Sequence, residues 1–173
     1  MTDSFAPDEA KRLTRLVQEH QRMLLRLCYV QLRDEEQARD AVQETFLKAY
    51  RALKDFRAEA SVKTWLIHIA LNTCRSMQRS GWWRFHDRRV TPEEIPVGEE
   101  AVCDEDIDLM CAVMQLPGRL REVIVLRYWQ NMTVDEIAQT LGIAQSSASG
   151  RLKRAQEKLR GMLEGRETDE GTR

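Results

Sequence analysis

Along most of this chain apolar residues recur at intervals of three and four, which gathers them on one face of an α-helix and leaves polar side chains on the other. The first stripe, Leu13, Leu16, Val17, Met23, Leu24, Leu27 and Cys28, predicts a helix from Leu13 to Leu32. After the start signal Arg33-Asp34-Glu35, a nearly unbroken second stripe of Ala38, Ala41, Val42, Thr45, Phe46, Ala49, Tyr50 and Leu53 predicts another. A turn around Phe56 to Ser61 leads to a third helix ending near Arg79, with Val62, Trp65, Leu66, Ile69, Ala70, Thr73 and Met77 as its expected buried face.

The pattern then changes character. Gly81-Trp82-Trp83-Arg84-Phe85 is followed by TPEEIPVGEEAVCDEDID, which carries two prolines, a glycine and many acids and has no helical period. A stretch of that length between compact elements reads as a linker. The aromatic trio fits stacking on single-stranded bases and fits equally well the end of the first domain's core.

A second helical unit begins near Asp106 with Ile107, Met110, Cys111, Val113, Met114 and Leu116, and is broken by Pro117-Gly118. The next helix runs from Arg119 through Tyr128, its apolar surface supplied by Val123, Ile124, Leu126 and Tyr128. Thr133 with Glu136 three residues later forms a capping box ahead of Val134, Ile137, Ala138 and Leu141. Gly142 ends that short helix, Ile143 inserts into the turn, and a new helix starts around Ser146 to Ser147 and buries Leu152, Ala155, Leu159 and Met162. Short helix, glycine turn and a second helix with an arginine-bearing outer face form the helix-turn-helix pattern.

The expected fold is therefore all-α, two small helical domains joined by an acidic flexible linker, the C-terminal one containing a helix-turn-helix. We place the domains at residues 1–85 and 106–165, with a linker over 86–105 and a disordered polar tail over 166–173. At 173 residues, two helical units of this size are physically viable.

Net charge near zero, from 27 Lys plus Arg against 28 Asp plus Glu, conceals an uneven distribution. Between Ser61 and Val90 the bases Lys63, Arg75, Arg79, Arg84, Arg88 and Arg89 face Asp87 alone, whereas the stretch from there to Asp108 has eight acids and no base. No segment approaches the roughly 20 apolar residues of a membrane helix, and the N-terminus, MTDSFAPDEAKRL, is polar and acidic where a signal peptide is basic and then apolar. A cytoplasmic protein without stable membrane insertion is expected. Cys28, Cys74, Cys103 and Cys111 lack the close spacing of metal or redox pairs and read as packing or bystander residues. His20, with no second ligand one turn away, reads as a partly buried, hydrogen-bonded residue, and His20, His68 and His86 are scattered. With no metal pair, nucleophile motif or phosphate loop, no catalytic residue, metal or cofactor is expected, and the chain does not read as an enzyme.

Three polar faces remain as candidate binding surfaces. Asp40, Gln43, Glu44, Lys48 and Arg51 line the outer face of the second helix, a pattern that by itself also describes plain solvated surface. His68, Asn72, Arg75 and Arg79 line one side of the third; asparagine and arginine are side chains that read base edges and hold phosphates, although a solvated face has the same look. A major groove accepts one helix whose front is small or hydrogen-bonding and whose flanks are basic. The last helix answers that description, with Gln145, Ser146, Ser147 and Ser149 in front and Arg151, Lys153, Arg154 and Lys158 flanking; a plain helical hairpin with a basic edge is the alternative.

Two long segments resemble one family. DEEQARDAVQETFLKAYRALKDF (Asp34 to Phe56) with TWLIHIALNTCRSMQR (Thr64 to Arg79) is similar to region two of the extracytoplasmic-function (ECF) RNA polymerase sigma factors, and LPGRLREVIVLRYWQNMTVDEIAQTLGIAQSSASGRLKRAQEKL (Leu116 to Leu159) is similar to their region four. The resemblance implies a sigma factor that binds core RNA polymerase and directs it to promoter DNA. It implies polymerase docking through Asp40, Gln43, Glu44 and Lys48. It implies recognition and melting of the minus-ten element through Phe56, Arg57, Ser61, His68, Asn72, Arg75 and Arg79, with Asn72 and the loop from Phe56 to Ser61 foremost. Reading of the minus-thirty-five element falls to Gln145, Ser146, Ser147, Ser149, Arg151, Lys153 and Arg154. An anti-sigma factor is the implied resting-state partner, and the acidic linker lies between the two domains along the polymerase. Where many relatives have Gly-Thr-Val-Lys-Ser, this chain has Ser146-Ser147-Ala148-Ser149-Gly150, so a looser recognition helix and an altered upstream element are expected. A stand-alone helix-turn-helix regulator, dimeric and independent of polymerase, is the competing reading.

Overall fold

The computed structural model describes residues 7–53, 61–79 and 104–170. The chain divides into two compact units, Met1–Asp87 and Arg88–Arg173, a division that falls inside the expected 86–105 linker.

Among the described residues, three helices make the first unit: α1 (Pro7–Leu32), α2 (Glu35–Ala52) and α3 (Val62–Arg79). Helix α1 starts six residues ahead of the first apolar stripe and ends at Arg33, which takes a left-handed φ of 58°. Asp34 then starts α2 by accepting a hydrogen bond from the Gln37 backbone N–H at 3.0 Å, satisfying one of the helix's orphan donors. The core of the unit holds Leu24, Leu27 and Leu32 of α1 against Leu66, Ile67 and Leu71 of α3, all essentially inaccessible to solvent. Helix α2 contributes mostly small side chains, Ala38, Ala41 and Ala49, together with Phe46. Small residues let helix axes approach closely, and Thr45 satisfies its buried hydroxyl by donating to the Ala41 carbonyl at 2.6 Å.

The buried arc of α3 is rotated from the one its periodicity suggests. Leu66, Ile67, Ala70, Leu71, Thr73 and Cys74 are buried, whereas Val62, Trp65, Ile69 and Met77 are only half-buried. The cause is that α3 packs against both α1 and α2, so its core face is centred between two neighbours. Gln78 also ties the end of α3 to α1, donating to the Gln31 carbonyl at 2.9 Å.

The second unit contains α4 (Asp104–Gln115), α5 (Gly118–Ile124), a π turn at Val125–Trp129, α6 (Val134–Leu141) and α7 (Gln145–Glu170). Helix α4 opens two residues ahead of the expected domain start, and α7 extends to Glu170, past the boundary expected at 165. Met114, Leu116, Val123, Val125, Leu126 and Ile137 form the core, closed by Ala148, Ala155 and Leu159 of α7. Arg121, only 4% exposed, donates to the Leu116 carbonyl at 2.8 Å and so satisfies an acceptor at the α4–α5 junction.

The π turn corrects one expectation. Tyr128 is 53% exposed instead of packing inward, and Trp129 beside it is also exposed. Backbone bonds spanning five residues, such as Gln130 N–H to the Val125 carbonyl at 3.2 Å, fit an extra residue into the turn and swing the aromatics out of the apolar stripe. The Tyr128 hydroxyl accepts instead from Gln156 Nε2 of α7 at 2.6 Å.

Cys28, Cys74 and Cys111 are buried and form no disulfide, as packing residues would be, while Cys103 lies outside the described residues. His20 is half-buried with its Nε2 4.0 Å from a Glu19 carboxylate oxygen. Among the described residues, no helix is long and apolar enough to cross a membrane.

Candidate nucleic-acid interfaces

The outer face of α2 presents Asp40 and Gln43 as exposed residues, with Glu44 half-exposed. Lys48 behaves differently from a free surface cation. Its ammonium lies 3.4 Å from Glu44 Oε1 and donates to Thr73 Oγ1 of α3 at 3.1 Å, so it joins the α2 face to the helix behind it. Leu47, one turn from both Gln43 and Arg51, is 51% exposed in the middle of this charged arc. Sequence periodicity passes over it because a lone leucine among charged positions registers on no apolar stripe; its signal is its place on the polar side of an otherwise regular pattern.

On α3, Ser61 is the helix cap: its hydroxyl accepts from the Thr64 backbone N–H at 3.1 Å and lies 2.9 Å from the Thr64 hydroxyl. About two to four turns further on, three of the expected residues form a hydrogen-bonded chain. Arg75 Nη1 donates to Asn72 Oδ1 at 3.2 Å, and Asn72 Nδ2 lies 3.1 Å from His68 Nε2. His68 and Asn72 are exposed and Arg75 half-exposed, so the chain lies on the outside of the unit, with exposed Arg79 continuing it. Partial burial, and secondarily the positive charge of Arg75, hold the His68 pKa below the ordinary imidazole value. Phe56 and Arg57 lie outside the described residues.

The helix-turn-helix is built by local chemistry that the sequence makes legible. The Thr133 backbone N–H donates to Glu136 Oε2 at 2.7 Å, the Thr133 hydroxyl donates to the same oxygen at 2.9 Å, and the Glu136 backbone N–H returns a bond to Thr133 Oγ1 at 3.3 Å. These two donors on one carboxylate, the backbone bond foremost, hold the Glu136 pKa below its ordinary value. Gly142 terminates α6 in the left-handed region at φ 63°, where a side chain would strain the backbone, and the Ile143 N–H bonds the Ala138 carbonyl at 3.0 Å.

Helix α7 then leaves the turn with Gln145, Ser146, Ser147 and Ser149 all exposed, and Ala148, 2% exposed, buried against the unit. Lys153 and Arg154 are exposed as well, and the Arg154 guanidinium returns to the Gly150 carbonyl through its Nε at 3.2 Å. Arg151 is half-buried and sits to the side of the front formed by Ser146, Ser149, Gly150 and Lys153. The face opposite the core is thus small, hydroxylated and edged with cations, the shape and chemistry a major groove admits.

Two helical units, one carrying a polar asparagine–arginine face and the other a helix-turn-helix, define a bipartite DNA-binding protein. Residues 16–84 match the Sigma-70 region 2 family and residues 112–161 match Sigma-70 region 4. The chain is 30% identical over 158 residues to the RNA polymerase sigma-H factor of Pseudomonas aeruginosa, covering 83% of this chain and 82% of that protein. To the ECF RNA polymerase sigma factor SigM of Mycobacterium tuberculosis it is 31% identical over 149 residues, covering 86% and 75%. The chain therefore belongs to the ECF RNA polymerase sigma factors. Among solved structures, CnrH in complex with the cytosolic domain of CnrY is similar at a TM-score of 0.68 and 29% identity, covering 90% of each chain. The sigma factor RpoE of Bartonella quintana, in complex with the anti-sigma factor NepR, shares the fold at a TM-score of 0.72 and 21% identity, covering 89% of this chain and 98% of that one.

Proposed function

We propose a division of labour for this sigma factor, which binds core RNA polymerase and directs promoter-specific transcription initiation. The α2 face of Asp40, Gln43, Glu44 and Leu47 docks on core polymerase, with Lys48 holding that face to α3. The α3 face of His68, Asn72, Arg75 and Arg79, with Phe56, Arg57 and Ser61 preceding it, recognises and opens the minus-ten element. The front of α7, Gln145, Ser146, Ser147, Ser149, Lys153 and Arg154 with Arg151 at its side, reads the minus-thirty-five element. The acidic residues of 86–105 tether the two units along the polymerase, imitating nucleic acid in a basic channel. An anti-sigma factor covers polymerase-binding faces in the resting state, in the cytoplasm, and the chain carries no catalysis of its own.

The observation that carries this reading is the hydrogen-bonded His68–Asn72–Arg75 chain on the solvent side of α3, in the same helical unit as an α2 face with an exposed apolar centre. An asparagine held between two neighbours, with polar capacity left over, is equipped to read a base taken out of the stack. Matches to region 2 and region 4 in family order leave the stand-alone regulator without support.

The test is Asn72→Ala in reconstituted holoenzyme. It should retain core binding and lose promoter opening, read by permanganate reactivity of unpaired thymines. Opening at the wild-type level by Asn72→Ala would remove α3 from the reading.

A further inference from the structure

We propose that His68 is a positioning residue for base selection: together with Arg75 it fixes which way the Asn72 amide faces and thereby which hydrogen-bonding edge Asn72 offers to promoter DNA. The inference rests on the reading of Asn72 as a base-contacting residue and adds to it the group that orients the amide.

The argument follows from donor and acceptor capacity. Arg75 can only donate, so the Asn72 atom 3.2 Å from its Nη1 must be the carbonyl Oδ1. Asn72 Nδ2 then faces His68, and an amide nitrogen has no lone pair to offer. His68 Nε2, 3.1 Å away, must therefore be the acceptor, which requires the neutral ring with its proton on Nδ1. A protonated ring would set N–H against N–H. The lowered His68 pKa, caused by burial and by Arg75, is in keeping with that neutral state.

Each bond uses half of what the amide has. Oδ1 keeps one lone pair and Nδ2 keeps one N–H, so the amide presents an acceptor and a donor side by side in a defined order. That is the complement of a base edge carrying one acceptor and one donor. Without His68 the Arg75 bond is the one of these two restraints that remains, and rotation about the terminal side-chain torsion, which is broad and roughly two-fold and exchanges donor and acceptor, is opposed from one end of the amide instead of two. The spacing makes the arrangement local, since residues three and four apart on a helix are neighbours, and His68 and Asn72 are both exposed, so substituting either leaves the unit's core untouched.

The experiment measures open-complex formation by holoenzyme on a promoter set carrying all four bases at each minus-ten position, for wild type, His68→Leu, His68→Gln, Asn72→Ala and the His68→Leu/Asn72→Ala double variant. Core binding and thermal unfolding are controls. His68→Leu should lose on the order of tenfold in base preference at the one position where Asn72→Ala loses it, with core binding unchanged. His68→Gln, whose carbonyl can accept from Asn72 Nδ2, should restore most of that preference. The double variant should be no worse than Asn72→Ala, because the two residues act as one unit.

Full preference in His68→Leu alongside loss in Asn72→Ala would overturn the proposal and leave Asn72's own role standing. An equal loss on every promoter, or failure of His68→Gln to rescue, would overturn it too, the first by showing a general structural role and the second by showing that the imidazole itself is read. Unchanged preference in Asn72→Ala would instead bring down the reading beneath it.

Discussion

Replacing Gly150 with alanine should stabilise the protein, and the sign comes directly from the geometry of α7. Gly150 lies inside a continuous helix, and a Cβ built on it meets no atom within 4 Å. Glycine at such a position is disfavoured relative to alanine by about 0.5–1 kcal/mol, because the unfolded chain loses more freedom on folding. A domain of roughly 60–100 residues shifts its midpoint by about 4–8 °C per kcal/mol, so Gly150→Ala should raise the melting of the second unit by about 2–8 °C. Gly142 gives the opposite sign under the same criterion of space. It too has nothing within 4 Å, but its φ of 63° is left-handed, and alanine there should cost roughly 1–2 kcal/mol. Thermal unfolding of the full chain, followed by far-ultraviolet circular dichroism, reads both. A Gly150→Ala midpoint at or below wild type would refute the claim that α7 is a regular helix there with idle conformational slack. Because Gly150 lies on the proposed DNA-facing front, the stabilised variant also tests the slack's purpose. Weaker minus-thirty-five binding despite higher stability would show that the front needs the backbone to approach closely.

Three further outcomes are expected. Asp34→Ala removes the side-chain acceptor of the Gln37 N–H and should cost about 1 kcal/mol in urea unfolding. Glu136 has a folded-state pKa below its ordinary value, so the stability it adds is present at neutral pH and is lost as pH falls through the ordinary carboxylate range and below; Glu136→Gln should flatten that part of the stability profile measured by denaturant titration at each pH. Lys48→Met and Thr73→Val, singly and together, should show a coupling of about 0.5–1.5 kcal/mol in a double-mutant cycle, because the Lys48–Thr73 bond joins α2 to α3; additivity would show that the bond contributes nothing.

Features built by local chemistry are the ones legible in the sequence. Thr133, Glu136 and Gly142 act through backbone bonds within a few residues, so their spacing already contains the geometry of the turn, and the exposure of Ser146, Ser147 and Ser149 follows from the position of α7's apolar stripe. The face shared by His68, Asn72 and Arg75 is legible for the same reason, since three- and four-residue spacing is adjacency on a helix.

Features that depend on neighbours distant in sequence, or on a change of period, are not legible in this way. Periodicity gives the direction of an apolar face but not how many helices cover it, so on α3 it misses Ile67, Leu71 and Cys74 and buries Trp65 and Ile69 too deeply. It misplaces Tyr128 because a π turn inserts a residue that a 3.6-residue period cannot register. The Lys48–Thr73 bond spans 25 residues of sequence, and no local pattern announces it.

The most direct test of the central claim is run-off transcription: purified core RNA polymerase with and without this protein, on fragmented genomic DNA from its source, with new starts mapped. The account predicts discrete, protein-dependent starts that share a minus-thirty-five and a minus-ten element, together with co-elution of the protein with core polymerase. Sequence-specific duplex binding by the protein alone, with no new starts and no co-elution, would contradict it.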